Sequence, residues 1–295
     1  MKTQPAWLNK DLFPFESKWA EIDGDQMHYV DEGSGPVVLF VHGTPEWSFG
    51  YRDCIKILKQ HFRCIAPDYL GFGLSDKPVD GDYSCQAHAN RLEKFISQLA
   101  LRDILLVVND FGGGIGLSYA ISHPHNVSGI MLFNSWMWSL KNDSHYATPA
   151  RVMQSWVGRF FYLRLNFPVN VIMPSAFGDR KKLTREVHRH YKMSSSTREE
   201  RIALYALTYE LLSASDWWQS LWEKRNLLTS KPTTILWGLK DKFVPPYELE
   251  KWKTGFPEAH VVEFPDAGHF VQEEKPVELA EELAKLLQRV TSYSR

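Results

Sequence analysis

Short apolar runs alternate with stretches of helical spacing along most of this chain. Residues 104–108, Ile-Leu-Leu-Val-Val, are continuously apolar and predict a strand buried on both faces. Further strand-like runs, less uniformly apolar in places, cover 37–41, 62–66, 130–133, 233–237 and 260–264. Residues 19–32 read as two antiparallel strands joined at Asp23-Gly24-Asp25, a sequence that suits a tight turn. Apolar positions at helical spacing mark 51–61, 83–99, 115–121, a stretch from Pro245-Pro246 to Trp252, and the amphipathic segment 277–290. Strands alternating with helices predict an α/β fold with a mostly parallel central sheet, helices on both faces and right-handed crossovers.

The pattern changes after Asn134. Residues 136–228 contain helical stretches, best at 183–192, 197–213 and 217–227, and no clear strand. The chain therefore divides into one α/β domain, built from 1–135 and 229–295, and a helical insertion, 136–228, expected to cap it. Ligands of open α/β sheets bind at the carboxyl ends of the strands, so such a cap would close a pocket there.

Charge and composition exclude some partners. The net charge is −1 with no long basic run, which leaves no basis for expecting nucleic acid or an acidic membrane surface. No apolar stretch is long enough to span a bilayer. The first 18 residues lack the pattern of a secretory signal. Cys54, Cys64 and Cys85 have neither metal-site nor redox-motif spacing, which together with the N-terminus suggests reduced thiols in the cytoplasm. The 11 tryptophans suit an apolar pocket but also ordinary core packing. Oligomeric state is left between monomer and small homo-oligomer.

The chemistry gathers at predicted strand ends. The apolar run 104–108 leads through Asn109 to Asp110, Phe111 and three glycines before the next helix. A strand turning sharply into a helix holds its apex residue at positive φ and lifts that side chain above the sheet. Asp110 occupies that apex; a helix-capping aspartate would look the same in isolation. Asp241 follows the run 233–237, and His269 follows 260–264. Nucleophile, acid and histidine, in this order at one sheet edge, is the arrangement of the α/β-hydrolase fold. A carboxylate nucleophile suits an sp³ carbon bearing a leaving group, where it forms an ester with the protein. His269 would then activate water against that ester, and Asp241 would orient the imidazole. Backbone N–H groups of Thr44 and Phe111 are the candidates for an oxyanion hole. No metal or cofactor is expected. His123 and His125, and His188 and His190, have ligand-like spacing but no third partner. Gly71-x-Gly73 lacks the third glycine and the helix of a dinucleotide fingerprint.

Five motifs carry a family resemblance: His42-Gly43-Thr44-Pro45-Glu46-Trp47-Ser48-Phe49, Gly71-Phe72-Gly73-Leu74-Ser75-Asp76, Val107-Val108-Asn109-Asp110-Phe111-Gly112-Gly113, Trp237-Gly238-Leu239-Lys240-Asp241, and Asp266-Ala267-Gly268-His269-Phe270-Val271-Gln272-Glu273. Together they resemble the haloalkane dehalogenases, over nearly the whole α/β domain and more weakly in the insertion. The resemblance implies hydrolysis of a small haloalkane to alcohol and halide through an aspartyl ester, with water as the second substrate. It also implies Asp241 as the acid, with Asn134 at the position where other members carry it. Two residues depart from the family. Phe111 stands where a tryptophan N–H normally holds the departing halide, and Thr44 where many members have asparagine. Loss of one aimed donor is worth on the order of 3 kcal/mol in a transition state. Trp136, Trp138 and Trp156 are the candidate substitutes, completing a leaving-group pocket with Thr44 and Phe111. Two other functions fit the same residues. An epoxide hydrolase would draw ring-oxygen donors from Tyr162, Tyr191, Tyr205 or Tyr209. A non-catalytic ligand-binding protein would have no need of His269 and Asp241.

Overall fold

A computed structural model describes residues 2–293. Eight strands form a single sheet: β1 (Lys18–Ile22), β2 (Asp25–Glu32), β3 (Val37–Val41), β4 (Arg63–Pro67), β5 (Ile104–Asp110), β6 (Val127–Ser135), β7 (Thr233–Gly238) and β8 (His260–Phe264), in the order β1-β2-β4-β3-β5-β6-β7-β8. The β1–β2 and β2–β4 pairs are antiparallel, and every later pair is parallel. The expected mostly parallel sheet is what the chain forms. Every residue of β5 is buried, as its unbroken apolar run requires.

The helices of the α/β part are α1 (Arg52–Leu58), α2 (Cys85–Gln98) and α3 (Phe111–Ser122). Between β6 and β7 the described residues form helices and turns only: α4 (Ser144–Gln154), α5 (Trp156–Leu165), α6 (Met173–Ala176), α7 (Arg185–Met193), α8 (Ile202–Ser213) and α9 (Ser215–Glu223). Then come α10 (Pro246–Gly255), α11 (Val271–Glu274) and α12 (Pro276–Tyr293). Local caps start several of them. Ser84 accepts from the Ala87 N–H, Ser155 from Gly158 and Thr184 from Val187.

Helix α3 starts four residues earlier than the sequence pattern predicts, directly after Asp110. Its glycines are not a loop. They let the helix lie close against its neighbours: a Cβ on Gly114 would stand 1.8 Å from the Trp218 ring. Two large clusters of buried apolar side chains fill the molecule, one including α2, α3 and the aromatic residues Trp136, Trp138, Trp218 and Trp252, the other including Phe40, Tyr51, Phe133 and Leu283.

Candidate active site

Asp110 ends β5 with φ 49° and ψ −132°, the strained turn expected of a strand-to-helix apex. The side chain is lifted off the sheet toward the loop after β3. That loop is pinned from below by His42, whose Nδ1–H donates to the Gly43 carbonyl at 2.7 Å while Nε2 accepts from the Tyr69 N–H at 3.0 Å. Burial holds the His42 pKa below its usual value, so the ring is neutral and its tautomer follows from these two bonds. Gly43 is needed here, since a Cβ would lie 2.3 Å from that of Asp110. The result is a backbone N–H from Thr44 donating to Asp110 Oδ1 at 2.9 Å.

His269 lies between two carboxylates. Its Nε2 is 3.3 Å from Asp110 Oδ2, and its Nδ1 is 2.6 Å from Asp241 Oδ2. Burial alone would lower the imidazole pKa, but the carboxylates of Asp241 and Asp110 outweigh it and hold the ring well above its usual range. Asp241 is itself fixed. Its Oδ1 accepts from the N–H groups of Phe243 and Val244, at 2.7 and 3.1 Å, and its Oδ2 accepts from Asn134 Nδ2 at 2.8 Å. Asn134 also accepts from the Gly238 N–H at 2.9 Å, joining the ends of β6 and β7. The position that holds the acid in other arrangements here steadies the acid from the side.

These groups open onto a cavity of about 340 Å³ walled by Thr44, Asp110, Phe111, Trp136 and His269 below and by Tyr146, Met153, Tyr162, Ile172, Leu204 and Leu207 of the insertion above. Its walls are mainly apolar, which fits an apolar ligand with few directed contacts.

The tryptophan candidates separate. Trp136 lines the cavity, its ring edge-on to Phe111 at 5.0 Å, and its buried indole N–H has no partner. Trp138 does not serve: its N–H donates to Glu248 Oε2 at 3.0 Å, and the ring packs between Trp222 and Trp252. Trp156 does not serve either, being 82% exposed on the outer surface of α5. Helical spacing could not separate an inward from an outward face in a segment apolar on both.

The tyrosines separate too. Only Tyr162 of the four candidates lines the cavity. The Tyr191 hydroxyl donates to Glu273, which also takes Arg52. Tyr205 and Tyr209 bond each other at 3.1 Å and the Gln154 carbonyl. The histidine pairs do not converge on a metal: His188 Nε2 donates to the Val169 carbonyl, and His190 Nε2 accepts from the Asn9 N–H. Among the described residues no group of three or more His, Cys, Asp or Glu side chains is placed to hold a metal ion.

Two buried acids beside the site had no assigned role in the sequence. Glu46 is 1% exposed and accepts from Asn109 Nδ2 at 2.7 Å and from Gln272 Nε2. Burial raises its pKa to about 7, against the pull of the Asn109 donor. Glu274 accepts from the N–H groups of Gly268, Gly178 and Asp179 at 2.8 to 3.0 Å. Glu46 had one sequence signal, an acid between Pro45 and Trp47, and Glu274, between Glu273 and Lys275, had none.

Comparison with known proteins gives the fold and the family. The sequence model of the alpha/beta hydrolase fold family matches residues 36–276. Haloalkane dehalogenase 2 of Mycobacterium tuberculosis is 37% identical over 271 residues, 91% of this chain and 94% of that protein. The chain belongs to the haloalkane dehalogenase family of the α/β-hydrolase fold. A second relative, the cis-3-alkyl-4-alkyloxetan-2-one decarboxylase of Shewanella oneidensis, is 31% identical over 282 residues, 89% of this chain and 85% of that protein. Among solved structures, haloalkane dehalogenase DbeA from Bradyrhizobium elkani has the same fold, with a TM-score of 0.86 at 24% identity over 95% of this chain and 99% of that one.

Proposed function

We propose that this haloalkane dehalogenase family member hydrolyses a carbon–halogen bond of a small apolar substrate, with Asp110 as nucleophile, His269 as base and Asp241 as its orienting partner. The observation that carries this reading is the line Asp110–His269–Asp241, with contacts of 3.3 and 2.6 Å beneath an apolar cavity. Asp110 Oδ2 attacks the carbon, the carbon–halogen bond breaks, and halide leaves with the bonding pair. Water then loses a proton to His269 and adds to the ester carbonyl carbon of Asp110. The charge that develops on Oδ1 falls on the Thr44 N–H, already 2.9 Å away, with the Phe111 N–H as the proposed second donor. Collapse breaks the ester C–O bond; the departing oxygen takes the proton held by His269 and leaves as the alcohol, and the regenerated Asp110 carboxyl gives its remaining proton to solvent. Forming the ester removes one of the two charges that raise His269, so the imidazole becomes a free base more readily when hydrolysis needs it. For the departing halide we assign the Thr44 hydroxyl and the Trp136 N–H as donors beside Phe111, and residues 136–228 as the cap that excludes water.

The test is intact-protein mass of a His269→Phe variant after incubation with a bromoalkane. An alkyl adduct, absent in Asp110→Ala, is the expected result. A folded variant that gains no mass would overturn the nucleophile assignment or the substrate class.

Phe111 favours one second reading. An oxetan-2-one opened by Asp110 at its sp³ C4 leaves a carboxylate tethered to the substrate, so no halide donor is required. Loss of carbon dioxide from C3 would then form the alkene as the C4–Asp110 bond breaks, without water. Alkene and carbon dioxide from an oxetan-2-one, with no halide released from any bromoalkane, would select this route.

A further inference from the structure

The outer face of the insertion is unusually apolar for a protein surface. On α5, Trp156 is 82% exposed, Phe160 51% and Leu165 47%, with Val157 and Phe161 exposed beside them and Val171 just beyond. At 3.6 residues per turn the α5 positions cover about half of the helix circumference, a broad apolar stripe with Arg164 in its middle. The opposite face of the same helix buries Tyr162 and Leu163, and Tyr162 walls the cavity. The stripe is therefore surplus to the needs of the fold, since α5 already has a packed face.

The full charges carried by α4 and α5 themselves are all positive. Arg151, Arg159 and Arg164 are exposed, and among the described residues none makes an ion pair, Arg159 lying over the Tyr205 ring at 6.0 Å. No aspartate or glutamate occurs from residue 144 to residue 178. The turn packed against α5, Glu199–Arg201, brings two acids, which Arg198 and Arg201 balance. An exposed face of Trp, Phe and Leu with Arg164 within it and Arg151 and Arg159 nearby has the composition of a surface that lies in a lipid interface. Pairing with a second copy is disfavoured by the same charges. A two-fold interface would set the arginines against one another with no carboxylate in the segment to meet them.

We propose that α5 docks this protein on an anionic lipid surface, with its broad exposed apolar face, Trp156 and Phe160 foremost, in the interface and the arginines among the headgroups. No helix among the described residues is long and apolar enough to cross a membrane, so the contact is peripheral. The inner faces of α4 and α5 wall the cavity, so docking would set the cover of the cavity against the phase into which an apolar substrate partitions.

Flotation with vesicles of phosphatidylcholine, with and without one-third phosphatidylserine, tests this at low salt. The expected result is binding to the anionic vesicles, weakened about tenfold or more without phosphatidylserine or by high salt. Trp156→Ser with Phe160→Ser should abolish it. Arg159→Glu with Arg164→Glu should abolish binding to anionic vesicles, and reads the same surface if the serine pair folds poorly. All four side chains are exposed, so melting temperatures should stay near that of the wild type. Absence of binding to either vesicle, or binding that survives both double variants, overturns the proposal. So does a wild-type dimer in sedimentation that Trp156→Ser with Phe160→Ser converts to monomer, which would assign the stripe to a second copy.

Discussion

Phe111 is the residue on which the chemistry turns. Its ring reaches the cavity beside Asp110 but offers no hydrogen to a departing anion, and the N–H of neighbouring Trp136 is buried at its edge. Phe111→Trp should therefore raise the rate of halide release by about tenfold or more, read as bromide formed per unit time. An unchanged rate in a folded variant would mean that Thr44 and Trp136 already suffice, or that the leaving group is not a halide. Glu46 makes a separate, pH-dependent statement. Folded Glu46 holds its proton up to about 7, whereas its ordinary value is 4.5, so the folded state binds more protons between those limits. Its contribution to stability is full below 4.5 and is lost as pH rises through 7. Glu46→Gln should remove that loss, gaining on the order of 3 kcal/mol on the wild type between pH 4.5 and pH 8 in urea unfolding.

At the scale of elements, the junction of β5 and α3 positions Asp110, the proposed nucleophile. The sequence showed the strand, the turn residue and the cluster of glycines, because an apolar run and a strained apex have local signatures. It did not show that the glycines belong to the helix, because their purpose lies in a ring more than 100 positions away. Gly114→Ala would drive a Cβ into Trp218, and should destabilise the fold by about 1–3 kcal/mol through overpacking. Urea denaturation checks it, and an unchanged midpoint would mean that α9 shifts without resistance. The same blindness applies to α5. A helix with apolar side chains all round has no moment to orient it, so Trp156 read as a pocket residue, yet it faces outward.

Across the whole molecule, the site is completed by contacts between the insertion and the α/β domain. The His269 N–H donates to the Ala176 carbonyl at the end of α6, and Glu274 joins Gly268 to Gly178 and Asp179. Histidine loop and insertion are thereby one structure. Glu274→Ala would leave the buried Gly268 N–H without its acceptor, at about 1–3 kcal/mol, and release the part-buried N–H groups of Gly178 and Asp179 to water. The expected outcome is a lower unfolding midpoint together with a fall in kcat that exceeds any change in KM, because His269 is displaced. A stability loss with normal kcat would restrict Glu274 to a structural role.

The sequence by itself determined the sheet, the order of Asp110, Asp241 and His269 along the chain and their placement at strand ends. Each of these follows from local rules, namely apolar runs, turn chemistry and the geometry of parallel crossovers. Tertiary structure decided which aromatic side chains face the cavity, that Asn134 steadies Asp241, and that Tyr191 serves Glu273 rather than the substrate. Those outcomes depend on which face of a helix is covered and on partners far along the chain, and neither spacing nor composition encodes them.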